Sequence, residues 1–411
     1  MKLLVFNAGS SSLKYRPFDV PAGGAPIATS SAGNVERIGG GEGRAAADHA
    51  TAVRWALKDL AERGRDGFDA VAHRVVHGGE AFTEPVRVDD ATLRAIERAT
   101  ALAPLHNGPA LAVIRECRRT ATASTPQVAV FDTAFHRTLP DRARLYALPF
   151  ELGERHRIRR FGFHGLSYRS LLDRYFGQTG RPVEGSRLVA LHLGNGASAC
   201  AIRDGRSVDT SMGFTPLEGL VMGTRSGDLD PSLVPFLAER EGVDGARIVE
   251  ILNHESGLLG LSGVSRDTRE IERAAEQGNA RARLALDVFA YRARRYLGAY
   301  LAALGGADAV LFGGGIGEHA AGVRAAILEG LDDLGISLDR GRNDRARGEI
   351  GRITADGSRI EAWVVPTDEE TVIARDAAGL LACERAGFRE DARRGSAASG
   401  CRRPSCASFR T

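Results

Sequence analysis

Asn7-Ala8-Gly9-Ser10-Ser11-Ser12 sets an amide, a glycine and three hydroxyls in six successive positions, with Lys14 just beyond. Small residues let backbone N–H groups approach an anion, hydroxyls donate to it, and a lysine adds a mobile positive charge, so this segment can hold phosphate. A polar hairpin turn is the plainer account. The scarcity of lysine, found only as Lys2, Lys14 and Lys58, narrows the gap between the two. His192-Leu193-Gly194-Asn195-Gly196 repeats the small, polar theme and can take the other end of a phosphate chain. No Gly-x-x-x-x-Gly-Lys-Ser/Thr string occurs, and Gly313-Gly314-Gly315-Ile316-Gly317 does not match Gly-x-Gly-x-x-Gly, so both common phosphate-loop signatures are missing. The glycine cluster is either a tight connection or a loop that lets a flat nucleotide approach the backbone.

Charged residues stand where they need explaining. Arg74 interrupts an apolar run, and a buried arginine calls for an internal carboxylate or a bound anion. Arg225 lies in the glycine-rich segment Met222-Gly223-Thr224-Arg225-Ser226-Gly227-Asp228 and is a second candidate anion contact. In so arginine-rich a chain, either alone reads first as an ordinary surface or ion-paired residue. Asp132 follows Val128-Ala129-Val130-Phe131, at a strand end where α/β folds present functional groups; its plainer role is to cap a turn. His164, set among aromatics and glycines, reads by itself as a satisfied core histidine. Glu369 and Glu370 open a helix, where acidic residues are favoured anyway, and near a phosphate chain one of them can reach Mg²⁺.

The elements that must carry these groups alternate. Residues 2–6 and 13–18 read as strand, polar turn, strand, and residues 188–193 and 199–203 repeat that unit, which suggests a duplicated domain. Residues 69–76 and 127–132 read as buried strands. Residues 281–304 have helical spacing and end at Gly305-Gly306; a strand at 309–312, the glycine turn at 313–317 and a helix near 322–334 follow. This mixture predicts an α/β protein. Residues 21–44 read as a loop or irregular hairpin, and residues 389–411 as a flexible tail.

Composition narrows the class. The 411 residues, 43% hydrophobic and 26% charged, can bury the cores of two domains. A net charge of +3 from 55 basic and 52 acidic residues predicts no polyanion partner, so nucleic acid is not expected. The cysteines Cys117, Cys200, Cys383, Cys401 and Cys406 lack metal-ligand spacing and suit a reducing, cytoplasmic setting. The opening apolar run is too short for a signal peptide, and residues 297–317, broken by Asp308 and glycines, read poorly as a membrane span.

Together these segments resemble the acetate kinase family of the acetate and sugar kinase, Hsp70 and actin superfamily. The matching strings are Asn7-Ala8-Gly9-Ser10-Ser11-Ser12-Leu13-Lys14, residues 73–80, Phe131-Asp132-Thr133-Ala134-Phe135-His136, Phe161-Gly162-Phe163-His164-Gly165, residues 192–198, residues 209–231 and Gly315-Ile316-Gly317-Glu318. The resemblance runs from Lys2 to about Ala382. It implies two domains with duplicated ribonuclease H-like, actin-like ATPase cores and an interdomain cleft: residues 1–132 with 371–388, and residues 133–370.

By that resemblance Asn7 and Glu369 sit at Mg²⁺, or Mn²⁺ in its place, and Ser10, Ser12 and Lys14 near the phosphates of ATP or ADP. Arg74 and Arg225 meet the acetate carboxylate and the phosphoryl group, Asp132 acts near the attacking carboxylate, and His164 contacts the phosphoryl group in flight. His192, Leu193, Gly194, Asn195, Gly196, Asp267, Thr268, Arg269, Gly315, Ile316, Gly317, Glu318 and His319 hold the nucleotide; Val76, Leu105, Phe163 and Pro216 line a methyl pocket. A homodimer is implied. Asp368, His319 and Leu166-Ser167-Tyr168 depart from the usual asparagine, asparagine and Thr-Ser-His of the family. A propionate or butyrate kinase is the near alternative, and an actin- or Hsp70-like ATP-binding module without kinase chemistry the distant one.

Overall fold

The computed structural model describes residues 1–39, 46–100, 104–120 and 125–394, with side chains left aside at 104–106 and 386–394. Thirteen strands among these residues are β1 (Lys2–Ala8), β2 (Ser12–Asp19), β3 (Ile27–Ala28), β4 (Gly33–Glu36), β5 (Ala70–Val75), β6 (Val86–Arg87), β7 (Gln127–Phe131), β8 (Arg187–Leu193), β9 (Ala197–Arg203), β10 (Arg206–Thr210), β11 (Ala309–Gly313), β12 (Gly351–Arg352) and β13 (Glu361–Val364). They form two sheets. The first runs β3-β2-β1-β5-β7-β6, with β4 also on β2; the second runs β10-β9-β8-β11-β13-β12.

Each sheet repeats one plan. An antiparallel hairpin, β1/β2 or β8/β9, pairs through its first strand in parallel with β5 or β11, which pairs in parallel with β7 or β13. This is the duplicated ribonuclease H-like core. Its central strands are covered on both faces, which is why β7 and β11 are buried along their whole length and read as unbroken apolar runs.

Helices close the layers. The helix Glu369–Arg394 lays Val372, Ile373, Ala374 and Ala377 against Leu3, Val5, Ala72 and Val128 of the first sheet. The helix Ala280–Leu304 packs Phe289, Ala293 and Leu297 with Val189 and Leu191 of the second. Between the cores lies the helix Gly165–Thr179, whose Leu166 packs with the first sheet and whose Leu171 and Leu172 pack with the second. No helix among the described residues is long and apolar enough to cross a membrane.

Three local expectations need correction. The glycine cluster is not a loop, because Gly313 ends β11 and Gly314–His319 is already helical. The turn from strand to helix happens at Gly314, with φ +75°, where a Cβ would meet the Leu193 carbonyl oxygen at 2.7 Å, so only glycine fits. The next helix spans Ala321–Leu328 rather than reaching residue 334; Gly330, at φ +65°, breaks it before the short 3₁₀ turn Asp332–Leu334. The last helix continues through residues 389–394, which the sequence had placed in the tail; residues 395–411 lie outside the described residues. In residues 21–39 the irregular hairpin takes form as β3 and β4, both paired to β2.

Candidate active site

The C-terminal ends of β1, β5 and β7 bring three polar residues side by side. Asn7 accepts a hydrogen bond from Arg74 Nη1 at 3.0 Å and donates through Nδ2 to Glu369 at 3.0 Å and Glu370 at 2.8 Å. Arg74 donates twice more to Asp132 Oδ2, from Nε at 3.0 Å and Nη2 at 2.6 Å, and lies 3.7 Å from Glu369. The arginine inside an apolar strand thus has its carboxylate partners. Burial opposes its charge, but Asp132, Glu369 and Glu370 outweigh burial and hold the guanidinium protonated. Burial likewise works against Glu369, yet Arg74, His192, Asn7 and Lys14 hold its carboxyl below the usual range. Burial pushes Asp132 upward against the pull of Arg74, and its Oδ1 is buried with no hydrogen-bond partner among the described residues.

The corresponding end of the second sheet carries imidazoles. His192, on β8, meets Ser167 Oγ through Nδ1 at 2.6 Å. His164 meets Ser198 Oγ through Nδ1 at 2.8 Å, and the two rings stack with centroids 4.3 Å apart. His164 holds φ +57°, a left-handed backbone that few side chains adopt, just before the helix Gly165–Thr179. Its neighbour Gly165 lies so close to the turn after β7 that a Cβ would sit 2.0 Å from the Asp132 carbonyl oxygen. Burial lowers the pKa of His192, which also feels Glu369, Arg74, Glu318 and Lys14. His192 is therefore the point at which the ends of the two sheets come within electrostatic reach of each other.

Arg225 reaches the same place from a loop. Its Nη1 donates to the Pro216 carbonyl oxygen at 3.1 Å and contacts Met222 Sδ at 3.4 Å, and burial lowers its pKa to about 10. A Cβ on Gly196 would lie 3.3 Å from His164 Nε2 and 3.7 Å from Arg225 Nη1, so both groups come up against the turn after β8.

The Arg225 loop is pinned by residues that the sequence offered no reason to single out. Arg160 donates to Glu218 Oε1 at 2.6 Å and to the Ser211 carbonyl oxygen at 3.1 Å, while Tyr146 donates to Glu218 and accepts from Phe214 N. Ser167, Tyr168 and Ser198, which fix the imidazoles, were equally missed as functional positions. Their partners lie 25 to 34 residues away, beyond any local motif.

The remaining candidates are placed unevenly. Val76 and Phe163 are buried in one apolar cluster, and Pro216 is buried beside Arg225; the side chain of Leu105 lies outside the described residues. Ser10 and Lys14 are exposed at the first turn, and Ser12 is half-buried. Leu193 and Ile316 are buried, Gly194 and Gly196 shape the second turn with Asn195, and Gly317 is buried. Glu318 accepts from Thr367 N and Oγ1, both at 2.9 Å. Asp267 caps the helix Thr268–Glu276 and pairs with Arg269. Gly315 and His319 are exposed, and a cavity of about 600 Å³ lies between His319 and Glu272 of that helix.

The oxygens of Asn7 and Glu369 are hard donors suited to Mg²⁺. Among the described residues no group of three or more His, Cys, Asp or Glu side chains forms a metal cage. In kinase sites Mg²⁺ usually binds to one or two protein groups together with substrate phosphate.

Residues 2–375 match the acetokinase family. An acetate kinase from Caldanaerobacter subterraneus subsp. tengcongensis is 47% identical over 403 residues, covering 93% of this chain and 99% of that one. The crystal structure of an acetate kinase from Porphyromonas gingivalis superposes with a TM-score of 0.83 at 40% identity, covering 92% of this chain and 99% of that one. A propionate kinase from Francisella tularensis subsp. tularensis superposes with the same TM-score at 35% identity, covering 91% and 98%.

Proposed function

The chain belongs to the acetokinase family, and from that premise we propose that it phosphorylates acetate with ATP, reversibly giving acetyl phosphate and ADP. The observation that carries this reading is the approach of Asn7, Arg74, Asp132 and Glu369 to His192, beside which stand His164 and Arg225. Residues 1–132 with 371–388 form one domain in this reading, residues 133–370 the other, and they close over ATP.

Acetate is ionised at neutral pH, so no proton needs removing, and catalysis reduces to alignment and charge neutralisation. A carboxylate oxygen forms a bond to the γ-phosphorus as the bond to the β,γ-bridging oxygen breaks, and ADP leaves with that electron pair. Arg225 and His164 donate to the equatorial oxygens; Arg74, held by Asp132 and Asn7, meets the acetate carboxylate. Asp132 orients Arg74 rather than acting as an obligatory base. Asn7 and Glu369 would hold Mg²⁺, or Mn²⁺, which would supply charge neutralisation at the phosphates. Ser10, Ser12 and Lys14 bind the phosphate chain, and His192 to Gly196, Asp267 to Arg269 and Gly315 to His319 the rest of the nucleotide. Val76, Leu105, Phe163 and Pro216 enclose the methyl group. The protein acts in the cytoplasm as a homodimer, with neither nucleic acid nor membrane as partner.

The test is to trap acetyl phosphate as its hydroxamate from acetate, Mg-ATP and purified protein. No acetate-dependent hydroxamate and no acetate-dependent ADP release would leave an ATP-binding module without this chemistry. The likeness to a propionate kinase favours a second reading with a longer acyl group. Comparing rates with acetate, propionate and butyrate separates the two.

A further inference from the structure

Three consecutive residues, Thr367, Asp368 and Glu369, lead into the last helix, and each is tied to a different part of the molecule. Thr367 donates from its backbone N–H and from its hydroxyl to Glu318 Oε1, both at 2.9 Å. Its methyl group stands 3.1 Å from the position a Cβ on Gly313 would take, so it packs on the strand end from which the helix Gly314–His319 starts. Asp368 donates its N–H to Ser170 Oγ, on the helix Gly165–Thr179, at 2.7 Å. Its carboxylate accepts from Thr371 N at 3.2 Å, from Thr371 Oγ1 at 2.8 Å and from Arg16 Nη1 on β2 at 3.1 Å. Glu369 accepts from Asn7, on β1.

We propose that Thr367 and Asp368 are positioning residues that hold Glu369 in register with the helix Gly314–His319. The proposal rests on the reading that sets Glu369 on the metal and that helix on the nucleotide. Glu369 is the first residue of its own helix, and the first turn of a helix has backbone N–H groups with no partner inside it. Asp368 caps that turn by accepting from Thr371 N, three residues on. The cap fixes the turn only to its own helix. The bonds to Ser170 and Arg16 fix it to the helix between the cores and to the first sheet, and Thr367 fixes it to the second.

Glu369 has a long, rotatable side chain, so its carboxylate keeps one place only if the backbone beneath it does. Through Glu318, Thr367 and Asp368 that backbone is spaced from the helix Gly314–His319 by direct hydrogen bonds and two peptide bonds. The group that would hold the metal and the helix that would hold the nucleotide are thereby set at one separation.

The experiment uses Mn²⁺ as the probe, its paramagnetic signal reporting binding to the protein–ADP complex without turnover, read against ADP alone. Thr367→Val exchanges the hydroxyl for a methyl group and keeps the backbone N–H. Asp368→Ala removes the cap and the tie to Arg16. Each should weaken Mn²⁺ binding about tenfold, as when an outer partner of a metal ligand is lost, with the KM for acetate within about twofold of wild type. Asp368→Asn keeps an oxygen that caps equally well and should restore most of the loss. Hydrogen exchange at the amides of residues 371–376, measured without metal or nucleotide, should quicken in Thr367→Val and Asp368→Ala. Wild-type exchange there in Thr367→Val overturns the proposal. So does wild-type Mn²⁺ affinity in both variants while Glu369→Gln loses it. If Glu369→Gln binds Mn²⁺ as tightly as wild type, the metal assignment in the proposed function fails, and the exchange rates decide the proposal alone. Should Asp368→Ala not fold, Thr367→Val decides it.

Discussion

His164 Nε2 and Arg225 Nη1 converge on Gly196, standing 3.3 and 3.7 Å from the position a Cβ would take there. Those distances are tight but tolerable for a methyl group, and Gly196 is not among the glycines with positive φ. Gly196→Ala should therefore fold with at most a small loss of stability while crowding the two side chains that the proposed function sets on the phosphoryl group. A fall in kcat of about a hundredfold, with little change in the unfolding midpoint, is expected from steady-state kinetics and thermal melting. Wild-type turnover would mean that the phosphoryl group passes elsewhere.

Arg225→Ala removes a directional donor rather than a structural support. Transition-state stabilisation should drop by about 3–4 kcal/mol, as on losing one oxyanion donor. Hydroxamate formation should fall by that amount in a protein whose circular dichroism is unchanged; near-normal turnover would remove Arg225 from the site.

Arg74 and Asp132 form a pair that is costly to break singly. Truncating Arg74 leaves the buried Asp132 and the half-buried Glu369 without their shared cation, so Arg74→Met should cost about 3–5 kcal/mol in urea unfolding. Asp132→Asn should also destabilise the fold, and the double variant should lose clearly less than the sum of the two. Strict additivity in that cycle would show that the pair contributes no coupling.

Glu218 ties Arg160 and Tyr146 to the loop carrying Pro216 and Arg225. Glu218→Gln weakens charge-assisted hydrogen bonds that are partly buried, so stability should fall by about 1–2 kcal/mol. The loosened loop should also raise the KM for acetate. Lost stability with an unaltered acetate KM would show that the brace does not set the pocket.

Three buried histidines predict acid sensitivity. Burial lowers His73, His77 and His136 from 6.5 to about 4, so between those limits the unfolded chain binds protons that the folded chain refuses. Stability must then fall as pH drops from about 6.5 towards 4, by up to a few kcal/mol per site. Carboxylates with depressed pKa, such as Glu369, lose their contribution only at lower pH. Denaturant unfolding across this range should show the decline, and His73→Asn should flatten it by up to one proton; a stability flat down to pH 4.5 would contradict the burial of these rings.

The central strands are legible in short windows of the sequence. β1, β5, β7, β8 and β11 are buried apolar runs bounded by turn residues, and the doubled strand-turn-strand unit announced the two sheets. Arg74 was noticed because charge inside such a run is costly, and its carboxylate partners were there. The glycine cluster misled, since Gly314 serves a steric need set by Leu193, more than a hundred residues earlier in the chain.

The sequence by itself determined the element order, the duplicated α/β plan and the family, because strand periodicity, turn chemistry and motif strings are contained in short windows. Only the tertiary structure decided that Asn7 turns its amide oxygen to Arg74 and that Glu369, 362 residues further on, closes the same cluster. The contact of Ser198 with His164 and the Glu218 brace belong to that second kind. A hydrogen bond depends on distances and directions of a few tenths of an ångström, and between distant segments these are fixed only when the sheets and helices have packed.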